Sequence, residues 1–128
     1  MLNKIEYDSP VARITIDNEG IFIFKLKDTS SIYDIEEARS QYRFMNLHSE
    51  GKPYKAIIDT RGSLVLPTDA ACDYYFEGNN FENIMALVVN SLPMKLLLGR
   101  MFRHENVPNS KIFKNDEDAY EWLLKKEF

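Results

Sequence analysis

Two short apolar runs, Ala56-Ile57-Ile58 and Ile84 to Val89, constrain this chain more than any other feature. Each is shorter than an ordinary helix and shows no alternation, the pattern of a strand covered on both faces. A segment with helical spacing follows each run. Strands connected in this way lie parallel in one sheet, with the helices crossing over its faces.

The rest of the chain reads around these two strands. Val11 to Asp17 alternates apolar and polar residues, Asn18-Glu19-Gly20 supplies a turn, and Ile21 to Leu26 is a second strand, so the pair forms a hairpin. Ile32, Ile35, Ala38, Tyr42 and Met45 recur at helical spacing and predict a helix from Tyr33 to Ser49, ended by Gly51 and Pro53. Thr68 is an N-cap for a second helix reaching Glu77, and Ser91 caps a third that tolerates Pro93 in its first turn and reaches His104. Lys111-Ile112-Phe113 reads as a short edge strand. Asn115 followed by three acids then opens a last helix, whose inward stripe is Ala119, Trp122 and Leu123. The order is β-β-α-β-α-β-α-β-α: an α/β fold with a mixed sheet and four helices, read as one domain over residues 1–128 with 1–10 as an N-terminal extension.

Composition narrows the function classes. The chain has 128 residues and a net charge of −4, which argues against broad nucleic-acid binding because that requires a basic surface. Cys72 is the single cysteine, so an intramolecular disulfide and a cysteine zinc site are both excluded. The start of the chain lacks an apolar core of signal-peptide length, and no apolar run is long enough to be a transmembrane segment. A cytoplasmic protein is expected.

Several stretches resemble the SpoIIAA-like branch of the STAS fold, the domain of sulfate transporters and anti-sigma factor antagonists. They are Ala56-Ile57-Ile58-Asp59-Thr60-Arg61-Gly62, Ala70-Ala71-Cys72-Asp73-Tyr74-Tyr75-Phe76, Met85-Ala86-Leu87-Val88-Val89, and the closing Lys111 to Leu123 with its Trp122-Leu123 pair. More closely, the pattern resembles a group of uncharacterised bacterial proteins within that branch. The resemblance implies a SpoIIAA-like fold and a regulatory, protein-binding role. In the antagonists a serine motif at the start of the second helix is phosphorylated, and the charge alters the partner surface. The corresponding stretch here is Pro67-Thr68-Asp69-Ala70, which keeps a hydroxyl at Thr68 but lacks the motif's serine and glycine. Wider relatives of the fold include lipid-transfer domains, which implies an alternative: a pocket between the third helix and the sheet holding an apolar or anionic small molecule.

The candidate site residues each have a plain structural alternative. Thr68 is a phosphoacceptor candidate, but a bare Thr-Asp at a helix start more often marks an ordinary N-cap, with Asp69 beside it at the positive end of the helix dipole. Asp59 and Arg61 lie just past the carboxyl end of a buried strand, where open α/β sheets bind ligands; the alternative is a loop cap and an ion pair. On the third helix Lys95, Arg100, Arg103 and His104 occupy one arc with Leu96 among them and no acid, opposite an apolar face of Met94, Leu97, Leu98, Met101 and Phe102. That stripe suits an acidic partner or an anionic membrane, or merely complements the helix dipole. Three successive aromatics, Tyr74, Tyr75 and Phe76, cannot share one buried face, so one is expected outside. The two histidines have no nucleophile or metal partner at a known spacing, and no glycine-rich phosphate loop occurs.

The sequence therefore reads as a non-enzymatic regulatory module without a cofactor. It is expected to bind a protein partner or a second copy of itself through residues 60–68, the start of the second helix and the third helix. The apolar-ligand pocket is the alternative.

Overall fold

In the computed structural model, residues 5–63, 65–78, 82–104 and 109–128 are described, leaving aside the side chains of 76, 78 and 101–104. The hairpin is closed by Asp17, whose Oδ1 accepts from the amides of Glu19 and Ile21, both at 2.9 Å, while Gly20 takes the left-handed φ of 77° that the turn requires. It joins β2 (Ala12–Ile16) to β3 (Phe22–Leu26), paired antiparallel. Within the stretch read from sequence as an N-terminal extension, Glu6–Asp8 forms a further strand, β1, antiparallel to β2. Three residues are too few to show a period, and this strand is held by tertiary partners: Tyr7 Oη donates to Glu37 at 2.8 Å, and Glu6 pairs with Arg13 at 2.7 Å.

After the hairpin the expected alternation follows: α1 (Ile35–Ser49), β4 (Lys55–Asp59), α2 (Asp69–Gly78), β5 (Ile84–Val88), α3 (Leu92–His104), β6 (Ser110–Phe113) and α4 (Asp116–Leu124). The sheet runs β1-β2-β3-β4-β5-β6, so neighbours in sequence are neighbours in space, and β3 to β6 pair in parallel. The helix starts are set by caps. Ala71 N donates to Thr68 Oγ1 at 3.2 Å, Met94 N to Ser91 Oγ at 3.3 Å and Asp118 N to Asn115 Oδ1 at 2.8 Å. The first helix begins later than its apolar spacing suggests, because Asp34 is extended and its carboxylate accepts from Glu37 N at 3.0 Å. Ile32 is left outside the helix and exposed, and Tyr33 bridges to Pro67 instead. Glu50 and Gly51, both left-handed, end α1.

Side-chain parity divides the core. Ala12, Ile14, Phe22 and Phe24, with Ala56 of β4, face α1 and α2, and Leu87 faces α3. The alternate set, Ile57, Ile84, Ala86 and Val88, packs against Ala119 and Leu123 of α4. Three helices therefore cover one face and one covers the other. Among the described residues no helix is long and apolar enough to cross a membrane.

Candidate functional site

The face under three helices is not filled. Between α1, α2, α3 and the sheet lies a cavity of about 150 Å³. Its floor is Phe24, Leu26, Ala56, Ile58, Met85 and Leu87, side chains that strand alternation points to one side. Met94, Leu97 and Leu98 of α3 form one wall, and Tyr42, Met45 and Tyr75 of α1 and α2 another. Val65, Leu66 and Pro67 of the loop after β4 complete it; Leu66 is half exposed and so lies between the cavity and solvent. Met94 and Leu98, which the sequence places on the inner face of the third helix, are both in the wall. The Phe102 side chain expected beside them lies outside the described residues.

One polar cluster borders the cavity. Gln41 is fully buried. Its Oε1 accepts from Tyr33 Oη at 2.9 Å and from the Tyr75 hydroxyl, and the two phenols also touch each other. Gln41 Nε2 donates to Glu37 Oε2 at 2.8 Å, an oxygen that also accepts from Ser9 and Tyr7. Burial pushes the Tyr33 and Tyr75 phenols well above their ordinary value, so both stay protonated donors. Thr60, also at the wall, spends its hydroxyl on Val88 O at 2.9 Å. Among the described residues no buried side-chain nitrogen or oxygen lacks a partner. The cavity thus offers apolar walls and a polar border already satisfied within the protein.

Sequence reasoning missed Tyr33, Gln41 and Tyr75 as parts of this site. A signal existed at Gln41: it falls on the same helical face as Ala38 and Met45, where a polar residue needs a buried partner. Tyr33 and Tyr75 carry no such mark, since they meet through long-range contacts: Tyr33 bridges to Pro67 and its carbonyl accepts from Thr68 N at 2.9 Å, which brings the segment before α1 to the start of α2.

The other candidates do not gather around the cavity. Asp59 follows the parity of Ile57 and faces α4. Its Oδ1 accepts from Arg61 N and Nε, both at 3.0 Å, and its Oδ2 from Arg61 Nη2 at 3.0 Å. Lys25 lies 3.4 Å from Asp59 Oδ2, and Asp116 of α4 lies 3.7 Å from Arg61. Burial raises the Asp59 carboxyl, but the hydrogen bonds from Arg61 and the charge of Lys25 outweigh it and hold the group below its ordinary value. Asp59 and Arg61 are occupied with each other on the opposite face from the cavity.

Thr68 is exposed and its hydroxyl caps α2, with Asp69 exposed next to it. Ser63 is buried and donates to Lys27 O at 2.9 Å, tying the loop to the sheet. Tyr74 lies edge-on to Tyr42, under Arg39, and Tyr75 turns to the cavity. Neither is exposed, and the Phe76 side chain lies outside the described residues. Lys95, Leu96 and Arg100 are exposed on α3; the Arg103 and His104 side chains lie outside the described residues.

A family model described as a domain of unknown function, DUF7793, matches residues 14–127. The chain belongs to the DUF7793 family. No curated protein matches it significantly. A solved structure of similar shape is an uncharacterized protein of the DUF3478 family with a SpoIIAA-like fold, from Shewanella loihica PV-4. It has 17% sequence identity and a TM-score of 0.65, over 96% of this chain and 98% of that one. The likeness shows the fold alone. The expected SpoIIAA-like fold is thereby supported: this family member is an α/β sheet with four helices of that kind.

Proposed function

We propose that this protein is a non-enzymatic binding module that holds a small apolar molecule between α3 and the sheet. The observation that carries the reading is the cavity of about 150 Å³ walled by Ala56, Ile58, Leu87, Met94 and Leu98. A void of roughly this size lined by apolar side chains stays dry and accepts benzene-sized guests. With the hydroxyls of Tyr33, Tyr75 and Thr60 already bonded inside the protein, affinity comes from apolar contact, and a charged guest would lose its hydration without compensation. The ligand class is a single ring or a short aliphatic chain rather than an anion.

The regulatory protein-interaction role favoured by the sequence has less behind it. Thr68 is engaged as a cap, and Asp59 and Arg61, read as a grip for a ligand past the end of β4, are paired with each other. A second copy or protein partner is not required by the ligand reading.

Titration with benzene, indole, naphthalene and hexanol, followed by ligand-observed NMR, tests it. Wild type should bind at least one of them saturably, and Ala56→Leu, which puts a side chain into the void, should abolish that binding. Absence of binding by all four, or binding indifferent to Ala56→Leu, overturns the reading.

A further inference from the structure

We propose that the outward face of α3 docks on an anionic lipid bilayer. Leu92 and Leu96 stand four residues apart on this helix and are 66% and 61% exposed. At about 100° per residue they lie roughly 40° apart on the wheel, with exposed Lys95 on one side and exposed Arg100 on the other. Single exposed leucines are ordinary surface. Two in line, flanked by cations, match the side chains of a helix lying in a membrane interface, with apolar groups at its centre and basic groups reaching for headgroups.

Charge argues for that occupant. The chain carries −4 overall, yet the thirteen residues of α3 include no acid. The sequence adds Arg103 and His104 in the last turn. An acidic protein repelled by anionic lipid elsewhere on its surface would approach through this helix.

The inner face of the same helix, through Met94, Leu97 and Leu98, walls the cavity. A helix with one face in lipid and the other on an apolar pocket is placed to pass a poorly soluble ligand between them. This last step rests on the ligand reading, whereas the docking itself does not.

Co-sedimentation with vesicles of phosphatidylcholine, with and without phosphatidylglycerol, tests the docking. Wild type should partition to the mixed vesicles and not to the neutral ones, and the partition should fall with added salt. Lys95→Gln and Arg100→Gln should each lower it by about 5-fold. Leu92→Ser/Leu96→Ser should lower it by roughly 10-fold or more with circular dichroism unchanged. No partition to anionic vesicles, equal partition to both kinds, or indifference to the leucine pair overturns the proposal. So does capture of an acidic protein through α3 without vesicle binding. Ring-ligand titration in vesicle-free buffer is the separate arm: ligand binding without partition sinks only the docking, and partition without ligand binding sinks only the ligand reading.

Discussion

The two faces of one sheet are packed by different rules. Under α4, β4 and β5 present Ile57, Ile84, Ala86 and Val88, and the helix answers with Ala119 and Leu123, all essentially without solvent exposure. Under α1 to α3 the same two strands present Ala56, Ile58, Met85 and Leu87, and the helices stand off far enough to leave a cavity. The covering helices differ in kind as well. α4 is short, capped by Asn115, and follows the cap with three acids in its first turn. α3 has Gly99 in its interior, where neither space nor dihedral angle requires it: a Cβ there would only touch Ile112 at an ordinary 3.9 Å. One face is built for stability, and the other leaves stability unused. Sites that admit ligands are drawn from such regions of lower local stability.

The largest effect expected from this contrast is at Leu123. Leu123→Ala opens a hole in a filled layer and should cost about 3 kcal/mol in urea denaturation. Leu98→Ala, beside an existing void, should cost less than about 2 kcal/mol. Equal losses would mean the two faces are packed alike. The adjacent alanines offer a sharper comparison. Ala86→Leu forces a side chain against α4 and should cost about 1–3 kcal/mol, while Ala56→Leu enters empty space and should stay within about 0.5 kcal/mol of wild type. Reversal of that order would place the void on the wrong side of the sheet.

Gln41→Leu removes the acceptor shared by Tyr33 and Tyr75. One phenol can still donate to the other, so a single hydroxyl is orphaned and the expected loss is about 1–2 kcal/mol. A neutral result would show that water serves this cluster. Gly99→Ala should stabilise α3 by about 0.5–1 kcal/mol, read as a rise in midpoint, and destabilisation would show that the glycine has a packing role.

A small effect is also expected at Asp59, on the filled face. Its carboxyl is held below the unfolded value, so its contribution is complete above about pH 4 and is lost as pH falls through the folded value. Asp59→Asn should therefore cost less than about 1 kcal/mol at neutral pH, with the gap to wild type closing in acid. A gap unchanged at low pH would assign the effect to packing rather than charge.

Much of this was legible in the sequence because it is local. Thr68, Ser91 and Asn115 mark their helices through hydrogen bonds that span three residues. Ala56-Ile57-Ile58 and Ile84 to Val89 announce strands covered on both faces because they are short, continuous and apolar, and are bounded by turn residues. Met94 and Leu98 fall on the inner side of α3 by the helical period alone. From this pattern the α/β alternation and the four helices follow, whereas the SpoIIAA-like character came from the resemblance of particular stretches to that fold's members.

Tertiary structure decided what depends on distance between elements. β1 exists because Tyr7 finds Glu37 and Glu6 finds Arg13, and no pattern within three residues can encode that. Asp59 and Arg61 sit near residues 62–68 in sequence, yet strand parity turns Asp59 to α4 and Arg61 follows it through their ion pair and Asp116, while Val65 and Leu66 go to the cavity. The cavity itself is a difference between the volume enclosed by three helices and the volume their side chains fill. Periodicity determines which side chains face inward, but how far the helices stand from the sheet is settled only when all of them pack at once.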